Sequence, residues 1–91
     1  MTSDGDYQIE VERVAAVALS KVPRRDAERI AERIKALASD PRPANATKLV
    51  GSDAYRVRQG NYRIVYLVED AVRIVTITRI GHRGDVYREK R

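Results

Sequence analysis

Two strand-like runs meeting at Gly60-Asn61 constrain this chain more than any other feature. Before the turn, Ala54–Gln59 reads AYRVRQ; after it, Tyr62–Glu69 reads YRIVYLVE. Both alternate with the two-residue period of a pleated strand. A Gly-Asn pair between such runs is the signature of a two-residue hairpin loop. That loop length dictates a register in which Arg58 faces Arg63, Arg56 faces Val65 and Tyr55 faces Tyr66.

A third run, Val72–Ile80, follows a weaker turn at Asp70-Ala71, so the C-terminal half reads as an antiparallel meander. Upstream, Tyr7–Arg13 alternates Tyr7, Ile9 and Val11 against Gln8, Glu10 and Glu12, a strand pattern. Val14–Lys21 has helical apolar spacing and is ended by Pro23. Arg25–Ser39 is the clearest helix: Ala27, Ile30, Ala31, Ile34, Leu37 and Ala38 form one stripe, and Asp40-Pro41 and Pro43 stop it. The short link between the helices makes them an antiparallel hairpin. Pro41–Asp53 reads as loop, and residues 1–6 as a frayed tail. The fold class expected is α+β, in the order β-α-α-β-β-β, with the helical hairpin covering one face of the sheet. At 91 residues there is room for one domain over 1–91 and no second.

With no cysteine, disulfides, thiolate nucleophiles and cysteine-ligated zinc are excluded. One histidine argues against a histidine metal cluster, and no cofactor is expected. No run approaches a membrane span, and the polar, acidic start does not resemble a signal peptide, so a cytoplasmic location is expected, with no membrane partner. The net charge of +5 is unevenly placed. Residues 1–53 hold nine Lys/Arg and nine Asp/Glu; residues 54–91 hold nine and four. Such an excess suits a polyanion or an acidic protein.

The hairpin register puts Arg56, Arg58 and Arg63 on one sheet face and Tyr55, Val57, Ile64, Tyr66 and Val68 on the other. The second set is the one that suits the helices. Opposed like charges destabilise a sheet, so three arginines converging on one face suggest an anion site. Guanidinium forks match phosphate oxygens and keep their charge near neutral pH. Solvated arginines on an open sheet are the plainer alternative. Val65 and Leu67 share this face, so something must cover part of it.

After the last strand comes GHRGDVYR, residues 81–88. Glycines flanking His82-Arg83 permit a sharp turn that brings Arg83 and Tyr87 toward the arginine face. His82 is the one side chain here that titrates near neutral pH. These parts suit an RNA cleavage in which a ribose 2′-hydroxyl attacks its own phosphate. The protein then aligns the strand, stabilises the phosphorane charge and moves two protons. Tyr87 is placed to stack on a base.

Lys48-Leu49-Val50-Gly51, YRVRQGNYRIVYLVED and IGHRGDVYR together resemble the RelE/ParE toxin superfamily, and the element order extends the resemblance over nearly the whole chain. It implies a twisted antiparallel sheet with a helical hairpin on one side. In the RelE branch it implies a ribosome-dependent messenger-RNA endonuclease working in the A site and leaving a 2′,3′-cyclic phosphate. By position, Arg56 and Arg58 fall where that branch has lysines, Arg63 and Arg83 on its phosphate-binding and catalytic arginines, and Tyr87 on its stacking tyrosine. Lys48 and Arg88 join the RNA-binding set. Arginine stays protonated and is a poor base. His82 is therefore assigned part of the acid/base duty.

A ParE-like gyrase poison on the same fold is the second expectation, and a non-catalytic RNA-binding module the third. The resemblance also implies a RelB-like or other small antitoxin as partner, the ribosome and its message as target, and operator DNA reached only through the antitoxin.

Overall fold

The computed structural model describes residues 6–82. The tail expected at residues 1–6 lies outside them except for Asp6, as does the segment from Arg83 onward. The order is β1 (Gln8–Val11), α1 (Arg13–Ser20), α2 (Arg24–Ala36), β2 (Thr47–Lys48), β3 (Tyr55–Gln59), β4 (Tyr62–Glu69) and β5 (Ile74–His82). One sheet runs β1-β5-β4-β3-β2.

The central hairpin forms as its sequence dictates. Gln59 pairs with Tyr62, and the register runs through Arg58–Arg63 and Arg56–Val65 to Tyr55–Tyr66. Gly60 takes φ +62, the left-handed value a two-residue turn of this kind requires at its first central position. The next turn is longer than the Asp70-Ala71 pair suggests. Glu69 pairs with Ile74, so four residues make the loop, with Arg73 at φ +57 and its N–H on the Asp70 carbonyl at 3.3 Å.

Two features correct the expected all-antiparallel, four-stranded sheet. First, β1 lies parallel to β5, Ile9 beside Val75 and Val11 beside Ile77, so the sheet is mixed. Second, the segment read as loop contains β2, which pairs Thr47 with Arg56 and Lys48 with Tyr55. Two residues are too few to show a period. A tight loop creates the pairing instead: Leu49 donates to the Ala54 carbonyl at 2.9 Å, and the Ala54 N–H donates to Ser52 Oγ at 2.9 Å.

The helices cover one face. α1 packs on β5, and α2 on β3 and β4. Ala15, Ile30, Ile34 and Leu37 meet Val57, Ile64, Tyr66, Val75, Ile77 and Ile80 in the core. The stripe on α2 supplies its share as expected, although the regular helix ends at Ala36, three residues early. Leu37, Ala38 and Ser39 instead bond to the carbonyls three residues back, at 3.0, 3.1 and 3.2 Å, which tightens the last turn before Pro41. On α1, Val14 and Val17 point to solvent while Ala15 is fully buried; the small side chain lets α1 lie close to β5.

Candidate nucleic-acid interface

The sheet face away from the helices carries the basic side chains. Val57, Ile64 and Tyr66 are buried in the helix-side core, so strand alternation turns Arg56, Arg58, Arg63, Val65 and Leu67 to the opposite face. Arg58 is exposed and Arg56 partly so, whereas Arg63 is only 2% exposed. A charge this deep is kept only where neighbouring groups hold it. Arg63 is therefore the fixed member of the trio and Arg58 the accessible one. The two lie directly opposite each other across the hairpin, a repulsion that a bound anion would relieve.

Sequence reasoning missed a fourth arginine. Plain alternation from Val75 and Ile77 would send Arg79 into the core. Instead, the β4–β5 pairing steps from Val65–Arg79 to Tyr66–Ile77, leaving Thr78 as an extra residue in β5. This β-bulge reverses the alternation: Ile80 is 3% exposed and lies in the core, so Arg79 points to the arginine face. The Thr78 hydroxyl donates to the Val65 carbonyl at 3.2 Å and closes the break. A signal existed in the apolar spacing of Val75, Ile77 and Ile80, two residues and then three. A row Thr47–Arg56–Val65–Arg79 thus crosses four strands, and Arg58–Arg63–Gly81 lies beside it.

Two sequence-predicted site residues lie elsewhere. His82 pairs with Tyr62 on the helix side of the sheet, with the two rings edge to face at 5.5 Å. With Ala18, Lys21, Val22 and Ile80 it borders a hollow of about 300 Å³ beside the end of α1. The same alternation that buries Ile80 carries His82 to that side, so the sheet separates it from the arginines. Lys48 pairs with Tyr55 and so also falls on the helix side, at the sheet edge. Thr47, not Lys48, shares the face of Arg56. Arg83, Tyr87 and Arg88 lie outside the described residues.

A polar and aromatic network clamps the sheet from its far end. Arg42 Nη1 and Nη2 donate to Asp70 Oδ1 and Oδ2 at 3.2 and 2.9 Å, and Arg42 Nε donates to Tyr55 Oη at 3.0 Å. Tyr7 Oη donates to Asp70 Oδ1 at 2.6 Å. Tyr55 stacks on Tyr66 with ring centres 5.8 Å apart, and the Tyr66 hydroxyl donates to the Pro41 carbonyl at 2.7 Å. The hydrogen bonds from Arg42 and Tyr7 hold the Asp70 carboxyl below its ordinary range. Burial pushes the Tyr66 phenol up to about 12. The clamp joins the residue before β1, the α2–β2 loop, β3, β4 and the β4–β5 turn, and so steadies the strands that carry the arginines.

A mixed five-stranded sheet, backed by two helices and bearing arginines on its other face, defines a small basic α+β protein of the RelE kind. Residues 7–87 match the family described as the ParE toxin of type II toxin–antitoxin systems, parDE. The chain belongs to this family and is a type II toxin of the RelE/ParE superfamily. It is 30% identical to the candidate toxin RelE1 of Methanocaldococcus jannaschii over 86 residues, covering 90% of this chain and 96% of the relative. It is 41% identical to the toxin RelG of Mycobacterium tuberculosis over 34 residues, spanning 37% of this chain and 39% of RelG. The toxin–antitoxin complex RelBE2 of Mycobacterium tuberculosis contains a similar fold, with a TM-score of 0.78 and 26% identity over 86% of this chain and 99% of that one.

Proposed function

We propose that this toxin is a messenger-RNA endonuclease that acts in the ribosomal A site. The observation that carries the reading is the gathering of Arg56, Arg58, Arg63 and Arg79 on one sheet face, with Arg63 buried at its centre. A ribose 2′-hydroxyl attacks the adjacent phosphorus as the bond to the 5′-oxygen of the next nucleotide breaks. The 2′-hydroxyl proton passes to water, the leaving 5′-oxygen takes a proton from water, and a 2′,3′-cyclic phosphate remains. The chain supplies no nucleophile. Its arginines hold the phosphate in line and neutralise the phosphorane as charge builds there. A guanidinium is a poor proton acceptor, so Arg56 and Arg58 act by charge and orientation. Arg83 and Tyr87 enter this reading by resemblance, as a further phosphate contact and a base-stacking ring.

The partner is a small RelB-like antitoxin, a reading supported by the similar toxin of the RelBE2 complex, which is bound to its antitoxin. An apolar and acidic segment suits a face that mixes Val65 and Leu67 with arginines. Operator DNA is contacted through the antitoxin.

A cell-free translation reaction tests the activity, with message ends mapped by primer extension. Codon-periodic cuts are expected, reduced at least about 100-fold by Arg58→Ala. The ParE description of the matching family favours a second reading, a gyrase poison. Intact message together with trapped gyrase–DNA complexes would establish that reading and overturn the first.

A further inference from the structure

We propose that Arg79, turned onto the arginine face by the bulge at Thr78, forms with Arg56 a second phosphate seat, which grips the nucleotide next to the one being cut. The inference rests on the RNA reading above and adds a residue and a ligand geometry to it.

Arg56 and Arg79 flank Val65 in one cross-strand row. Neighbouring strands lie roughly 4.8 Å apart, so the two Cα positions are about 10 Å apart, with the low side chain of Val65 between them. Long guanidinium arms from both sides can close on one anion over that floor. The next row holds Arg58 and Arg63, with Gly81 contributing no side chain beside Arg63. Residues two apart on a strand are about 6.8 Å apart, on the scale of one step of an extended single strand. Two rows of paired cations at that spacing fit two consecutive phosphodiesters rather than one.

The bulge makes Arg79 part of this arrangement. Without the extra residue, Arg79 would be buried beside Val75 and Ile77, where an unpaired charge is costly. Bulges recur beside functional sites, where they re-aim a side chain. Here the Thr78–Val65 hydrogen bond keeps the bulge in place.

The test is binding of a 2′-O-methyl RNA hexanucleotide, which lacks the attacking hydroxyl, to the full chain across a potassium chloride series. Each phosphate neutralised on a single strand contributes about 0.7 to the slope of log affinity against log salt. Arg58→Gln and Arg79→Gln should each lower the slope by about that amount, and Arg79→Lys should restore it. A methylphosphonate at the neighbouring phosphate should lower the slope for the unaltered protein and leave Arg79→Gln unaffected. If Arg58→Gln lowers the slope and Arg79→Gln does not, the second seat is overturned while the nuclease reading stands. If neither changes it, or the oligonucleotide does not bind, the second seat is overturned, and the cell-free translation reaction decides the nuclease reading separately. Should Arg79→Gln lose its thermal transition, the methylphosphonate series decides on the unaltered protein: a slope that responds at one phosphate alone overturns the proposal.

Discussion

Arg42 and Asp70, 28 residues apart in sequence, face each other as a two-pronged ion pair, with terminal nitrogens 3.2 and 2.9 Å from the two carboxylate oxygens. The pair sits at the surface, its side chains 42% and 58% exposed, where an isolated ion pair stabilises little. Its setting makes it consequential: the same guanidinium also holds Tyr55, and the same carboxylate also accepts from Tyr7.

Asp70 links this clamp to pH. Its pKa is depressed in the folded protein from the ordinary value of 3.8, chiefly by Arg42 and then by Tyr7. A depressed carboxylate contributes stability above its unfolded pKa and loses it as pH falls through the folded one. Asp70→Asn should therefore lower the melting temperature at pH 6–7. The difference from the unaltered protein should shrink as pH falls below about 4. Paired thermal melts across that range measure it.

Tyr66 gives the alkaline counterpart. Its phenol stays protonated up to about 12 in the fold, against 10.0 for an exposed tyrosine. Between those values the folded state holds the proton more tightly, so stability falls as pH rises through this window. Tyr66→Phe should flatten that decline. At neutral pH it should cost about 1 kcal/mol through the lost bond to the Pro41 carbonyl. Urea unfolding at pH 7 and pH 11 checks both effects.

Gly60 isolates the cost of backbone conformation. A Cβ added there would meet nothing within 4 Å, yet φ is +62. Gly60→Ala should destabilise by about 1–2 kcal/mol, the penalty for an L side chain in the left-handed region. The urea midpoint should shift with an unchanged m-value.

His82 distinguishes the two sides of the sheet. It packs edge-on against Tyr62 on the helix side. His82→Ala should therefore leave the shape of the pH–rate profile for RNA cleavage unchanged, at most lowering stability. Loss of one limb of that profile would return it to the acid/base role that its place in the sequence suggests.

Local pattern carried a large part of this structure. The Gly60-Asn61 turn and the alternation around it determined the hairpin register, and with it the shared face of Arg56, Arg58 and Arg63. The stripe on α2 likewise identified Ile30, Ile34 and Leu37 as core. Such features are legible because each depends on residues within one or two turns of chain. Tertiary structure alone decided the rest. Whether β1 runs parallel to β5 depends on where the two helices and the strands after them return the chain. The Arg42–Asp70 clamp joins two loops that only the packed sheet brings together. The face of Arg79 depends on one unpaired residue in β5, because a strand's period defines its faces only while every residue has a partner across the ladder.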